Sequence, residues 1–421
     1  MPNFFDPYNW DYMLERNPQG TYSVADYHAI LCRPEDYPEF LRPYLKLPLL
    51  TRLKGIGLLC GTDWTRLYRN RFYYSRFDHS VGVALIIWHF THNKAQTLAG
   101  LFHDVSTPVF SHVSDFRKGD ALTQTATEEP NELLIRQDAD LARLLAADGL
   151  TADQVCDYHK YPIADNEIPQ LSADRLEYMY PSGMALDGSW TYEEVRRTYN
   201  DLAILKNEDG ADELGFKSLA AAEEYTEHFC LIGHILQLNE DKVCLHLLGQ
   251  IMNLAVEEGI LREEDFMTLS ESQIIKKIDD DVTGSQHFKS LYATFRNMTS
   301  IVHSQTQLAG HFCVNLKVKL RYINPLVQMP DGSAQRVSQV SAKAAKIISD
   351  FLTWQDTPWG CAKLESNNED DEKRKDFINK IRKNVASPIS AQITMKDAVE
   401  KIGPIDVDED AVNELRRISM I

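Results

Sequence analysis

One histidine-aspartate pair stands in a strongly helical setting, His103-Asp104, preceded by Ala99-Gly100-Leu101-Phe102 and followed by a turn that carries Pro108. Adjacent helix positions point about 100° apart, so the two side chains do not share a face, but they can converge on an ion at the helix end. One imidazole and one carboxylate are too few to hold a divalent cation, so further nitrogen and oxygen donors are required. The best candidates are His79, in Arg76-Phe77-Asp78-His79-Ser80-Val81-Gly82-Val83, and Asp174, in Leu171-Ser172-Ala173-Asp174-Arg175-Leu176-Glu177-Tyr178.

Four segments in one order, R-x-x-H-S-x-G-V from Arg76, A-G-L-x-H-D from Ala99, F-S-H from Phe110 and A-D-R-L-x-Y from Ala173, resemble the HD-domain metal-dependent phosphohydrolases, the deoxynucleoside triphosphate triphosphohydrolase-like branch above all. The resemblance runs from about residue 49 to 180, less than half of the chain. It implies a first shell of His79, His103, Asp104 and Asp174 around one divalent ion. That mixed set suits Mn, Fe, Co, Ni, Mg or Zn and leaves positions open for water and phosphate oxygens. It implies attack by a metal-activated water on phosphorus. By the same resemblance Arg76 contacts the phosphate, His112 orients or protonates the leaving group, and Tyr178 lines the substrate pocket.

Two positions depart from that branch. Thr107 and Asn131 stand where it has histidines, and Met179-Tyr180-Pro181-Ser182 lacks its arginine-aspartate pair. Threonine cannot serve as a general base. The expectation is therefore a phosphomonoesterase or nucleotidase rather than a triphosphohydrolase. The alternative is a degenerate HD-domain protein that senses a nucleotide without turnover, and a dinuclear iron redox centre ranks below both because it needs the missing imidazoles.

The elements that must position these residues have helical periodicity. Apolar positions from Val81 to Phe102 read as two helices broken at Asn93, and Pro108 is expected to stop the second. Helical patterning returns over residues 132–147, 192–205, 219–238 and 242–256, with a polar loop over 206–215. Ser270-Glu271-Ser272-Gln273 has the form of a capping box ahead of Ile274, Ile275 and Ile278. From Phe312 to Arg321 apolar and polar residues alternate, a strand pattern, followed by a turn at Met329-Pro330-Asp331-Gly332 and a helix over 338–351. The expectation is a mainly α fold, an HD-domain helical bundle over residues 1–300 with a small α+β region over 301–421 that could mediate homo-oligomerisation. The charged run 365–375 reads as a solvated linker.

Composition narrows the function classes. With 44 Lys+Arg against 62 Asp+Glu the formal charge is −18, which argues against nucleic acid as a partner. A small phosphorylated substrate would then need a locally basic pocket, for which Arg52, Arg76, Lys160 and Arg175 are the candidates. Asp6, Asp11 and Glu15 break the pattern of a secretory leader, no apolar run is long enough to span a bilayer, and seven scattered cysteines form no clamp. A cytoplasmic protein with reduced thiols is expected. Cys230 with His234, and Cys244 with His246, lie in helices dense with leucine and isoleucine and read as packing rather than zinc ligands. No P-loop, dinucleotide fingerprint or nucleophile elbow occurs.

Overall fold

The computed structural model describes residues 22–365 apart from 69, 71, 120–128 and 187. Counting helices of five residues or more, these are α1 Val24–Leu31, α2 Arg76–Thr91, α3 Lys94–Phe102, α4 Val113–Arg117, α5 Glu129–Gln137, α6 Ala139–Ala147, α7 Ala173–Leu186, α8 Tyr192–Asn200, α9 Leu219–Ile235, α10 Asn239–Glu257, α11 Glu271–Asp279, α12 Gln286–Asn297 and α13 Ala342–Thr353. The strands are β1 Leu202–Lys206, β2 Asp212–Phe216, β3 Val302–Ser304, β4 His311–Val314, β5 Leu326–Gln328, β6 Ala334–Arg336 and β7 Trp359–Lys363. The fold is mainly helical.

Local chemistry sets the boundaries near the site. Ser75 opens α2 with a full capping box, its hydroxyl accepting from the Asp78 amide while Asp78 accepts from the Ser75 amide. The helix ends at His92, in the left-handed region, and Asn93 caps α3 by accepting from the Gln96 amide. Pro108 does not end α3. The helix closes at Phe102, and turns from Val105 to Phe102 and from Thr107 to Asp104 redirect the chain before the proline is reached. Helix α7 contains Pro181, which cannot donate to the carbonyl of Glu177; the Tyr27 hydroxyl donates to that oxygen instead at 3.3 Å.

Three expectations about elements change. Residues 202–205 are strand rather than the end of a helix, and 206–215 is the turn and second strand of a hairpin, Leu202 facing Phe216 in antiparallel register. The Asn207 side chain accepts from the amides of Asp209 and Ala211, and Gly210 takes a positive φ, so the polar stretch is turn chemistry. The helix expected over 132–147 is two, because Asp138 accepts from the Leu141 amide and starts α6 afresh. Only residues 311–314 of the alternating stretch pair as a strand; 315–321 continue without regular structure.

The strands form two sheets, β1-β2-β5-β6 and β3-β7-β4. Within the first, β2 and β5 run parallel and the outer pairs antiparallel. The second is antiparallel throughout. Strand β5 thus joins the later residues to the earlier hairpin, and the described residues form one compact unit. The rest of the region 301–421, with most of the charged run 365–375, lies outside the described residues.

Apolar side chains gather in two cores. One is built around Tyr27, Tyr180, Trp190 and Tyr225, the other around Trp64, Phe110, Leu248 and Phe288. In the first, Tyr180 meets Trp190 and Tyr225 edge-on at 4.9 and 5.4 Å, pairs that each contribute about 0.5–1.5 kcal/mol beyond burial. Residues of both cores, Leu58 and Leu245 among them, line one cavity. Among the described residues no helix is long and apolar enough to cross a membrane.

Candidate metal centre

Three helix ends bring the four expected donors together. His79 lies in the first turns of α2, His103 caps the C-terminus of α3 with Asp104 next in the chain, and Asp174 sits in the first turn of α7. His79 Nε2 is 3.1 Å from Asp174 Oδ1 and 3.9 Å from Asp104 Oδ2. His103 Nε2 is 3.7 Å from Asp104 Oδ2 and 3.6 Å from Asp174 Oδ1. Donors bound about 2.1 Å from one ion stand roughly 3.0–3.4 Å apart as neighbours and about 4.2 Å apart when opposed, so these separations suit a shared ion. His79, His103 and Asp104 alone already form a cluster that could hold a metal ion.

Both imidazoles are aimed by their other nitrogen. His103 Nδ1 donates to the Gly100 carbonyl at 2.7 Å, and His79 Nδ1 donates to Glu177 Oε2 at 2.5 Å. Each ring therefore presents Nε2 to the carboxylates, the orientation a metal-ligating histidine needs. Glu177 was not singled out from the sequence, although it follows Asp174 by three residues and so shares its helix face. It is wholly buried, accepts from the Tyr74 hydroxyl at 2.6 Å, and that hydroxyl lies 2.8 Å from His28 Nε2. Gly82 completes the cradle: a Cβ there would stand 2.3 Å from Glu177 Oε1.

The electrostatics describe a site that attracts a cation. Burial disfavours a charged His79, yet hydrogen bonds and negative charge from Asp174 and Glu177 push its pKa up to about 10. Burial opposes ionisation of Asp174 as well, but the His79 hydrogen bond and the charge of both histidines hold it down at about 2. Asp104 is half-buried, which also opposes its ionisation, yet Arg76 with the two histidines keeps it well below the usual carboxylate range. Positive charge is thus favoured beside the two carboxylates, the place that a divalent ion would fill.

The turn after Asp104 is held from several sides. Arg76 donates to Asp104 Oδ2 at 2.9 Å and to Ser111 Oγ at 3.0 Å. The Thr107 hydroxyl donates to Asp104 Oδ1 at 2.9 Å and so fixes a candidate ligand. Asn131 accepts from the Ser106 amide at 3.2 Å and donates to the Phe102 carbonyl at 3.3 Å, tying together the two sides of the His103-Asp104 pair. Arg52, expected to meet substrate, instead donates to the carbonyls of Val105 and Thr107 at 2.7 and 2.6 Å and does not line the cavity. Lys160 is likewise outside the lining, exposed and directed to the Asp153 carbonyl at 3.4 Å.

The cavity beside the four donors encloses about 740 Å³. Of the residues singled out in the sequence, Arg76, Arg175, His112 and Tyr178 line it. Arg175 donates to the Gln170 carbonyl at 2.9 Å and to Asn166, and burial pushes the Tyr178 phenol up to about 12. Part of the lining was not foreseen: Asp241 of α10 and Lys319 and Arg321 of the irregular stretch after β4. Nothing local marked them, because they reach the site only through long-range packing. His234 packs on Trp354 and His246 faces Phe312, and neither joins a metal-type cluster among the described residues.

No family model matches the chain. Over 321 residues it is 23% identical to the uncharacterized protein YdhJ of Bacillus subtilis, a match covering 73% of this chain and 89% of that protein. Over 191 residues it is 25% identical to the metal-dependent phosphohydrolase cns2 of Cordyceps militaris, covering 43% of this chain and 53% of the relative. The crystal structure of a phosphohydrolase from Bacteroides thetaiotaomicron superposes with a TM-score of 0.54 over 77% of this chain and 95% of that one, at 14% identity. This chain therefore shares the fold of that Bacteroides protein and resembles, over 43% of its own length, a metal-dependent phosphohydrolase.

Proposed function

We propose that this protein is an HD-type metal-dependent phosphohydrolase that cleaves a phosphate ester, a nucleotide or a similar small anion, with one divalent ion held by His79, His103, Asp104 and Asp174. The observation that carries the reading is the convergence of both Nε2 atoms on Asp104 and Asp174, with each ring locked from behind. Such an ion, when bound, polarises a phosphoryl oxygen and acidifies a water to near neutrality. Arg76, buried and fixed by Asp104 and Ser111, offsets negative charge that builds on the phosphoryl oxygens as the bond to the leaving group breaks. Arg175 and Tyr178 line the space for the substrate body. A monoesterase or nucleotidase reaction fits better than triphosphohydrolysis, since Thr107 and Asn131 hold the loop and offer no imidazole. The seven cysteines, all unpaired, fit a reducing compartment such as the cytoplasm.

The same two residues favour a second reading, a nucleotide sensor that keeps the ion and the cavity but not turnover. Elemental analysis of the purified chain beside a His103→Ala, Asp104→Ala variant, followed by a phosphate-release screen with Mn, Mg, Co and Ni, separates the readings. Metal near one equivalent that disappears in the variant, with phosphate released by the wild type alone, is the expected result. Metal without release on any ester would replace the enzyme by the sensor, and no metal in either protein would remove both.

A further inference from the structure

His112 is flanked by two guanidinium groups. Arg321 donates from Nη2 to His112 Nε2 at 3.3 Å, while Arg76 is bound to Asp104 and to Ser111, the residue before His112. Both guanidinium groups act electrostatically on the imidazole, and all three residues line the cavity. A guanidinium has no acceptor, so Nε2 of His112 must accept. The ring proton then lies on Nδ1 and is donated to the wholly buried carboxylate of Asp115 at 3.0 Å. A neutral ring with that tautomer has no proton on Nε2 to give to a leaving group. It can hold Arg321 in place.

The backbone carrying Arg321 is also fixed. Gln237 donates to the Lys319 carbonyl at 3.1 Å, and the Arg321 carbonyl presses so closely on α9 that a Cβ at Gly233 would lie 2.9 Å from it. Glycine at that position permits the approach. Thus Arg321 enters the cavity from a pinned segment with its head group oriented by an imidazole. Two fixed guanidinium groups lining one cavity with a neutral ring make an anion cradle, and planar forked donors match phosphate oxygens better than point charges do.

We infer that Arg321 is the second phosphate-binding arginine of this site, that with Arg76 it selects phosphate monoester dianions over singly charged diesters, and that His112 is the residue positioning Arg321. The choice between esters rests on the phosphohydrolase reading, but the anion cradle can be tested without turnover. The full-length, manganese-loaded chain is titrated calorimetrically with inorganic phosphate, and hydrolysis of p-nitrophenyl phosphate is measured beside that of bis(p-nitrophenyl) phosphate.

Arg321→Ala is expected to weaken phosphate binding by about tenfold or more and to raise KM for the monoester with a smaller change in kcat, at unchanged metal content and Tm. Arg321→Lys should recover part of the affinity. His112→Ala should weaken phosphate by a smaller factor and leave the shape of the kcat-pH profile as in the wild type. Wild-type affinity in Arg321→Ala, or a metal-loaded wild type that does not bind phosphate, would overturn the inference even if esters are hydrolysed. Phosphate binding lost in Arg321→Ala, in a chain that hydrolyses no ester, would keep the cradle and discard the hydrolase. Loss of one limb of the kcat-pH profile in His112→Ala, with phosphate affinity intact, would make His112 a proton donor and end its positioning role.

Discussion

Glu177 Oε2 and His79 Nδ1 lie 2.5 Å apart in a wholly buried pair, so the carboxylate that fixes the first imidazole comes from the same helix as the candidate ligand Asp174. Removing its charge while keeping its shape isolates what it does. Glu177→Gln is expected to fold, to keep a hydrogen bond to His79, and to bind manganese about 10- to 100-fold more weakly, the usual range for partners of ligating histidines. Competition with a metal indicator would measure this, and wild-type affinity in the variant would remove Glu177 from the site.

The four candidate ligands were legible because they fall in short motifs that follow one another in a fixed order, from Arg76, Ala99 and Ala173. The structure adds what the motifs do not spell out, that Ser75 and Asp78 cap the helix carrying His79 and that His103 caps the helix that Asn93 starts. Glu177 was equally available, one turn from Asp174, but a buried carboxylate in a helix pattern does not reveal whether it faces the core or a ligand. Asp241 and Arg321 were beyond reach for a different reason. Their place depends on how α10 and the segment after β4 close over the cavity, and no short-range period encodes that. The hairpin over 202–216 was missed because Asn207-Glu208-Asp209-Gly210 was read for its polarity and not for the turn it builds.

Thr107 offers a test of what orients Asp104. Its hydroxyl holds Asp104 Oδ1, and Thr107→Val removes that bond with little change of volume. A hydrogen bond to a charged group contributes about 1.5–3 kcal/mol, so metal affinity should fall by roughly 10- to 100-fold while Tm falls by only a few degrees. Unaltered metal affinity would mean that Arg76 alone orients the carboxylate.

Acid should weaken the fold through His28. Burial pushes this imidazole down to about 4, against 6.5 when unfolded, with a partial opposing contribution from the Asp78 carbonyl. A folded-state pKa below the unfolded value means stability is fully present above pH 6.5 and is lost as pH falls toward 4. At pH 5 the loss is about 2 kcal/mol. Urea unfolding at pH 7 and pH 5 measures it, and His28→Gln should show a smaller drop between the two, His112 supplying part of what remains because burial lowers it to about 4 as well. Equal drops in both proteins would show that His28 titrates normally.

Glu271 predicts the opposite dependence at alkaline pH. Its carboxyl is wholly buried, accepts from the Gly57 amide at 3.0 Å and from the Trp64 indole at 2.8 Å, and lies near Asp63. Burial raises its pKa to about 8, more than the Trp64 hydrogen bond can offset, and the charge of Asp63 adds to the rise. For an acid raised above its unfolded value of 4.5, stability is full below that value and is lost as pH climbs through the folded one. Between pH 6 and pH 8.5 the loss should be about 2.5 kcal/mol. Glu271→Gln cannot ionise, so its stability should vary less over that range, although the amide loses an accepted bond and lowers stability at every pH. The slope therefore carries the prediction and the absolute value does not. Guanidinium unfolding at the two pH values gives that slope, and a variant as pH-dependent as the wild type would place the alkaline loss on another group.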